Sequence, residues 1–207
     1  SLGGTVYFPT GTYKITAPLY VPSLVNLEGE NAWGTIISKT TNTAGTGSNT
    51  ARSGTVTDSY ALDCVLIFTH ANNEYTVYSG VKNLRLQKAS FALSSIAIYA
   101  PRSNHIQIDN VWVLNCAIGW YTFDSWMSSI KDMTVQACNI GYQHANDGAG
   151  LGTGTSMTYQ NCWVNFDNTI AEPTQAFNFF GLTYSNLISC GSDNGTRVDG
   201  AATYAYY

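Results

Sequence analysis

Four short stretches of the chain carry one pattern: Asn or Asp, an apolar residue, a variable residue, then an apolar residue. They are Asn83-Leu84-Arg85-Leu86, Asn110-Val111-Trp112-Val113, Asp132-Met133-Thr134-Val135 and Asn161-Cys162-Trp163-Val164, with first residues 27, 22 and 29 positions apart. Recurrence at roughly 20 to 50 residues marks stacked units that cannot bury their apolar faces alone. The period-two alternation makes each unit a strand. Single strands on a loose repeat of about 25 residues predict an all-β chain wound as a right-handed, single-stranded parallel β-helix, one coil per repeat. Such a coil presents long side faces with fixed side-chain spacing, suited to a polymer.

The rest of the chain fits one such solenoid over residues 1–207. Gly3 to Ile15 reads as strand, Pro-Thr-Gly turn, strand, and Trp33-Gly34-Thr35-Ile36-Ile37 as a further strand. Residues 40–59 form a polar excursion from the coil, and a Gly-rich insert occupies 148–154. A second motif, Ile118-Gly119-Trp120-Tyr121-Thr122 and Ile140-Gly141-Tyr142-Gln143-His144, recurs with an offset of 22. Repeat counting predicts roughly seven or eight coils, an axis of about 35 Å at ~4.8 Å per strand.

Composition narrows the function. Hydrophobic residues make up 44% and charged ones 11%, which argues against disorder. A net charge of −4 with scattered basic residues argues against a nucleic-acid partner. The five Cys lie at 64, 116, 138, 162 and 190, with no CxxC pair, so no metal site or cofactor is predicted. Cys116 and Cys138 each fall six residues after a repeat Asn or Asp and are expected to stack as core fillers. No apolar run has membrane-spanning length. The chain begins at Ser1 and ends in a strand-like Thr203-Tyr204-Ala205-Tyr206-Tyr207 without a polar cap, so it reads as a piece of a longer protein.

Alternation points Val111, Val113, Met133, Val135, Cys162 and Val164 inward, leaving Arg85, Trp112, Thr134 and Trp163 on the outer face. Exposed indoles stacked along a sheet suit the C–H faces of sugar rings, and burial under a loop or between subunits is the competing reading. Asp124 follows Asn110 by 14 residues and Asp147 follows Asp132 by 15, so both are expected at one corner on adjacent coils. Two neighbouring carboxyls can act as general acid and as base or nucleophile in glycoside hydrolysis. Glu172 is a substitute for either, His144 and Tyr121 are candidate relays or sugar contacts, and Tyr121, Phe123 and Trp126 are candidate apolar walls. Turn chemistry is the competing role for each Asp. Asp109 and Asp132 are read as turn residues, the Asn83/Asn110/Asn161 set as a structural turn ladder, and His70 and His105 as structural or surface groups.

The segment Gly3-Gly4-Thr5-Val6-Tyr7-Phe8-Pro9-Thr10-Gly11-Thr12-Tyr13 resembles the entry motif of the pectate-lyase-like superfamily. Together with the coil pattern, the resemblance covers nearly the whole chain and is closest to bacteriophage tailspike depolymerases. It implies a parallel β-helix and, in a tailspike, a homotrimer on the virion tail, outside the cell; a secreted protein is the alternative. The implied partner is a bacterial surface polysaccharide, with neither nucleic acid nor membrane insertion. The paired Asp-Asp, Gly-His-Gly and Arg-x-Lys of polygalacturonases do not occur here, nor do the clustered acids of calcium-dependent pectate lyases. A standard pectin hydrolase is therefore disfavoured, and the resemblance, with the aromatic outer face and the candidate carboxyl pair, implies a depolymerase working by carboxylate acid/base hydrolysis. The alternatives are a lyase of the same fold, a non-catalytic glycan-binding adhesin, or a fibre shaft.

Overall fold

The computed structural model describes residues 3–146, 154–166, 174–193 and 203–206. Among the described residues, every strand pairing but one is parallel and joins consecutive coils. The largest sheet stacks Gly4–Phe8, Val25–Gly29, Gly80–Lys88, Gln107–Leu114, Ser129–Gln136, Thr158–Gln160 and Asn186–Ile188. A second sheet stacks seven strands from Leu19–Pro22 through Cys64–Thr69, Ile96–Pro101, Ile118–Phe123 and Ile140–His144 to Thr174–Phe179 and Thr203–Tyr206. A narrow third sheet stacks Thr76–Val77, Ser103–Asn104, Ser125–Trp126 and Gly154–Thr155. This is the parallel β-helix expected from the repeat, seven strands deep on two of its sides.

The repeat Asn and Asp explain how one strand serves two faces. Asn83, Asn110, Asp132 and Asn161 all sit at φ of 50–53°, a left-handed conformation that Asn and Asp tolerate better than most residues. Each bends its coil in the middle of the repeat. Asn110 Nδ2 donates to Asn83 Oδ1 at 2.8 Å, and Asn161 Nδ2 to Asp132 Oδ1 at 2.9 Å, so the turn ladder is also tied along the axis. Asp109 departs from expectation. It precedes the bend, inside strand Gln107–Leu114, in register between Lys82 and Lys131.

Inside, like stacks on like. Leu86, Val113, Val135 and Val164 form one buried column, and Val81, Ile108, Ile130 and Tyr159 another. Across the core, Ile98, Trp120, Tyr142 and Phe177 form a third, with Tyr142 stacked on Phe177 at 5.1 Å. The Ile-Gly-aromatic motif has a packing cause. A Cβ at Gly119 would stand 2.5 Å from a methyl of Val135, so the glycine lets the facing column close up. All five cysteines are free, and Cys116 and Cys138 are fully buried fillers as expected.

The polar excursion is folded, not loose. Its strands Ser48–Thr50 and Thr57–Ser59 form the antiparallel hairpin, the exception among the pairings. Tyr60 packs with Ile67, Ile96, Tyr99 and Phe123 in a second apolar cluster on the outer face of the second sheet. At the base, Lys39 and Lys88 stand in register on adjacent coils, where like charges repel. Asp63 resolves this by accepting from both ammoniums at 2.6 Å, in a position almost closed to solvent.

Candidate functional site

The outward row runs across the coils as Ile36, Arg85, Trp112, Thr134, Trp163 and Gly191, in strict register. Trp163 is 44% exposed and lies over Gly191, where a Cβ would come within 2.6 Å of the indole. Trp112 is half-buried beneath the Arg85 guanidinium, 5.5 Å from its ring, and meets Trp33 edge-on at 4.1 Å. Trp33 itself is 71% exposed. It sits in a turn ahead of strand Thr35–Lys39 rather than within a strand, so its part in the row was not visible in the repeat. The two repeat tryptophans are two coils apart, about 10 Å at the usual strand spacing.

A second constellation forms at the corner after strand Ile118–Phe123. Pro101 is paired with Phe123, which sets Arg102 beside Asp124 on adjacent coils. The Asp124 carboxylate accepts from Arg102 Nη1 at 2.6 Å, Trp126 Nε1 at 2.9 Å and the Tyr75 hydroxyl at 3.1 Å. Arg102 Nε binds Asp58 of the excursion hairpin at 2.6 Å, and Asp58 meets His70 Nε2 at 2.8 Å. The buried chain His70–Asp58–Arg102–Asp124 thus locks the excursion to the coil. Above it, Arg52, Tyr75, Asp124 and Trp126 line a cavity of about 310 Å³. Arg52 lies over the Tyr75 ring at 5.6 Å, and burial raises the Tyr75 phenol above its ordinary pKa. Asp58, Tyr75, Arg52 and Arg102 belong to no repeat and fall outside the motif positions, so nothing in the spacing singled them out.

The remaining expected residues are placed differently. Thr122 pairs with His144, and continuing that register sets Asn146, not Asp147, opposite Asp124. Asp147 and Glu172 lie outside the described residues. His144 is fully buried, packed against the backbone of Gly154, and its ring nitrogens have no well-aligned hydrogen-bond partner among the described residues. Burial pushes it down to about pKa 4, against weaker upward pulls from the Phe180 backbone and the Asp124 charge. It lies near Asp124 without a hydrogen bond to it, and its expected second partner, Asp147, is outside the described residues. Tyr121 stacks on Tyr99 at 5.4 Å in the cluster under the excursion, and Phe123 is buried there too. Of the three expected aromatic walls, Trp126 alone lines the Asp124 cavity. His70 is structural and His105 stacks under Tyr78 at 4.8 Å, both in line with expectation.

No group of His, Cys, Asp and Glu among the described residues is arranged to hold a metal ion, and no described helix is long and apolar enough to cross a membrane. The coil, its turn ladder and its entry strand define a pectate-lyase-like β-helix protein. Residues 2–203 match the family described as rhamnogalacturonase A/epimerase, pectate lyase-like, and the chain belongs to it. Among solved structures it is similar to the gp42 tailspike of Acinetobacter phage vb_AbaP_AS12, with a TM-score of 0.79 and 20% identity over 96% of this chain. It is also similar to the A-module of the Azotobacter vinelandii mannuronan C-5 epimerase AlgE6, with a TM-score of 0.57 and 16% identity over 92% of this chain. The chain spans 33% of that tailspike and 49% of that module. No curated protein matches it.

Proposed function

We propose that this chain is the glycan-binding coil of a phage-type tailspike depolymerase, which engages a bacterial capsule or O-antigen. The observation that carries the reading is the outward row of Trp112, Thr134 and Trp163, flanked by Arg85 and Trp33, on consecutive coils of a tailspike-like fold. Aromatic faces at fixed spacing stack on successive sugar rings, while Arg85 and Thr134 supply hydrogen bonds. In this reading the protein works outside the cell, on the virion tail, as a homotrimer.

Cleavage is assigned to hydrolysis by a carboxyl pair. Asp124, at the wall of an aromatic cavity, supplies one member, and Asp147 or Glu172 the other. Arg102 acts as its positioning residue. The row and the cavity lie on different sides of the coil, so binding and cleavage are separable. A second reading, β-elimination, is favoured by one observation: the Tyr75 hydroxyl stands between Arg52 Nη1 at 3.5 Å and the Asp124 carboxylate at 3.1 Å. As the proton next to the sugar carboxylate moves to the Tyr75 oxygen, the phenol passes its own proton to Asp124. The guanidinium neutralises the sugar carboxylate, and the glycosidic oxygen leaves with the proton passed to Asp124 as the double bond forms.

The test is a panel of purified bacterial capsules and O-antigens incubated with the protein. New reducing ends without ultraviolet absorbance of unsaturated uronates support hydrolysis, and their appearance with that absorbance selects elimination. Tight binding with no chain shortening would make the protein an adhesin, and no binding to any of them refutes the reading.

A further inference from the structure

The outer face on the other side of the Asn bend carries a different surface. One row there is Thr5, Asn26, Gly80, Gln107, Ser129 and Thr158, each paired to the next, with no charge in it. The next outward row alternates in sign on four consecutive coils: Glu28, Lys82, Asp109, Lys131. Where the rows run together they line a groove of about 340 Å³. That volume is at the small end for ligand sites and suits a single sugar ring.

Gly80 forms a notch in the groove floor. A Cβ there would lie 2.5 Å from the Gln107 carbonyl oxygen and 3.1 Å from the Asn26 side-chain Oδ1, so glycine lets both polar groups close in on its backbone. Glycine within a strand weakens it and marks a place where another group approaches closely. The polar groups around the notch are only partly used. Lys82 Nζ meets Glu28 at 3.3 Å. No carboxylate–ammonium pair within 4.0 Å involves Asp109 among the described residues, and the Asn26 and Gln107 side-chain amides point from exposed positions. Two amides, one ion pair and one carboxylate make a surface rich in both donors and acceptors. Its formal charge, two carboxylates against one ammonium, is negative.

We infer that the Gly80 notch is a saccharide subsite for an uncharged or amino-bearing sugar residue, with Asp109 and Gln107 as its principal hydrogen-bonding groups. Paired vicinal hydroxyls suit a carboxylate that can accept two hydrogen bonds, and an amide supplies the complementary donor. A uronate would bring a third negative charge beside Glu28 and Asp109 and is disfavoured. The inference rests on the glycan-binding reading and names the sugar class at a position separate from the tryptophan row.

Saturation-transfer NMR with the methyl glycosides of glucose, galactose, glucosamine and glucuronic acid tests it. A neutral or amino glycoside should be saturated, the glucuronide least. Asp109→Asn and Gln107→Ala should each weaken the favoured glycoside roughly tenfold, the scale of one hydrogen bond to a charged or well-placed group. Both positions are on the surface, and circular dichroism checks that the coil persists. A glucuronide that saturates best, signals unchanged in both variants, or no saturation by any of the four overturns the subsite. Polymer binding by Trp163→Ala, measured alongside, separates the two ideas. A tryptophan-dependent polymer with no sugar in the notch would leave the row standing and remove the subsite alone.

Discussion

Arg102 Nη1 lies 2.6 Å from Asp124 Oδ2, between corners of adjacent coils that both adopt positive φ, 49° and 47°. Both side chains are withdrawn from solvent, and Asp58 holds the far edge of the same guanidinium. Removing one partner from such a pair leaves a buried charge uncompensated, at a cost of about 3–5 kcal/mol. Arg102→Leu, which strands two carboxylates, is expected to lower the urea midpoint more than Asp124→Asn, which strands none. In the hydrolytic reading, Asp124→Asn abolishes glycan shortening while polymer binding persists. Full activity in that variant would remove Asp124 from the chemistry.

His144 predicts an acid lability. Its folded pKa, about 4, lies below the ordinary 6.5, so the unfolded chain takes up the proton first. Its contribution is complete above about pH 6.5 and declines as pH falls towards 4, by about 3 kcal/mol across that window. The measurement is the difference in unfolding free energy between the wild type and His144→Leu at pH 7 and pH 4.5. The gap should shift in favour of the leucine variant at the lower pH. A pH-independent gap would show that the buried imidazole is not held neutral.

Asp63 joins Lys39 and Lys88 where the excursion leaves the coil. In Asp63→Asn two buried ammoniums in register would lose their shared counter-charge, with a loss of several kcal/mol, on the order of 3 or more. Lys88 also donates to the Thr41 carbonyl oxygen and Asn42 Oδ1, so the start of the excursion should open with it. Limited proteolysis should then cut within 40–59 well before the rest of the coil, and an unchanged digestion pattern would contradict this.

Trp163 offers its ring without holding the core together, since the inward neighbours Cys162 and Val164 are fully buried and carry the packing. Trp163→Ala is expected to weaken polysaccharide binding by on the order of tenfold, an aromatic contact of about 1.4 kcal/mol. Thermal stability should change little. Affinity unchanged on a capsule that the wild type binds would mean that the row is not the binding face.

The inward columns and the outward tryptophans were legible because alternation along a strand is enforced by the geometry of each peptide unit. The Asn and Asp ladder was legible for a similar reason, since those residues tolerate left-handed φ better than most, although corners at Leu24, Arg102 and Met127 adopt it without them. The corner was only half legible. Asp124 was marked by its place after the motif, but counting 14 and 15 residues paired it with Asp147, whereas the strand register sets Asn146 opposite. Asp109 was misassigned by its neighbour, as one position separates a bent turn residue from an outward strand residue.

By itself the sequence determined that this chain is a stack of strands, which repeat residues face in, and where the Asn and Asp ladder bends each coil, all consequences of local sterics and period. The tertiary structure alone decided that Arg102 clamps Asp124, that Asp63 is shared by Lys39 and Lys88, and that Tyr121 is half-buried in the cluster beside the excursion. Those contacts join residues 22 or more positions apart in sequence. Coil lengths vary with each turn, so the period constrains these partners only loosely. The pairing of the strands sets them instead.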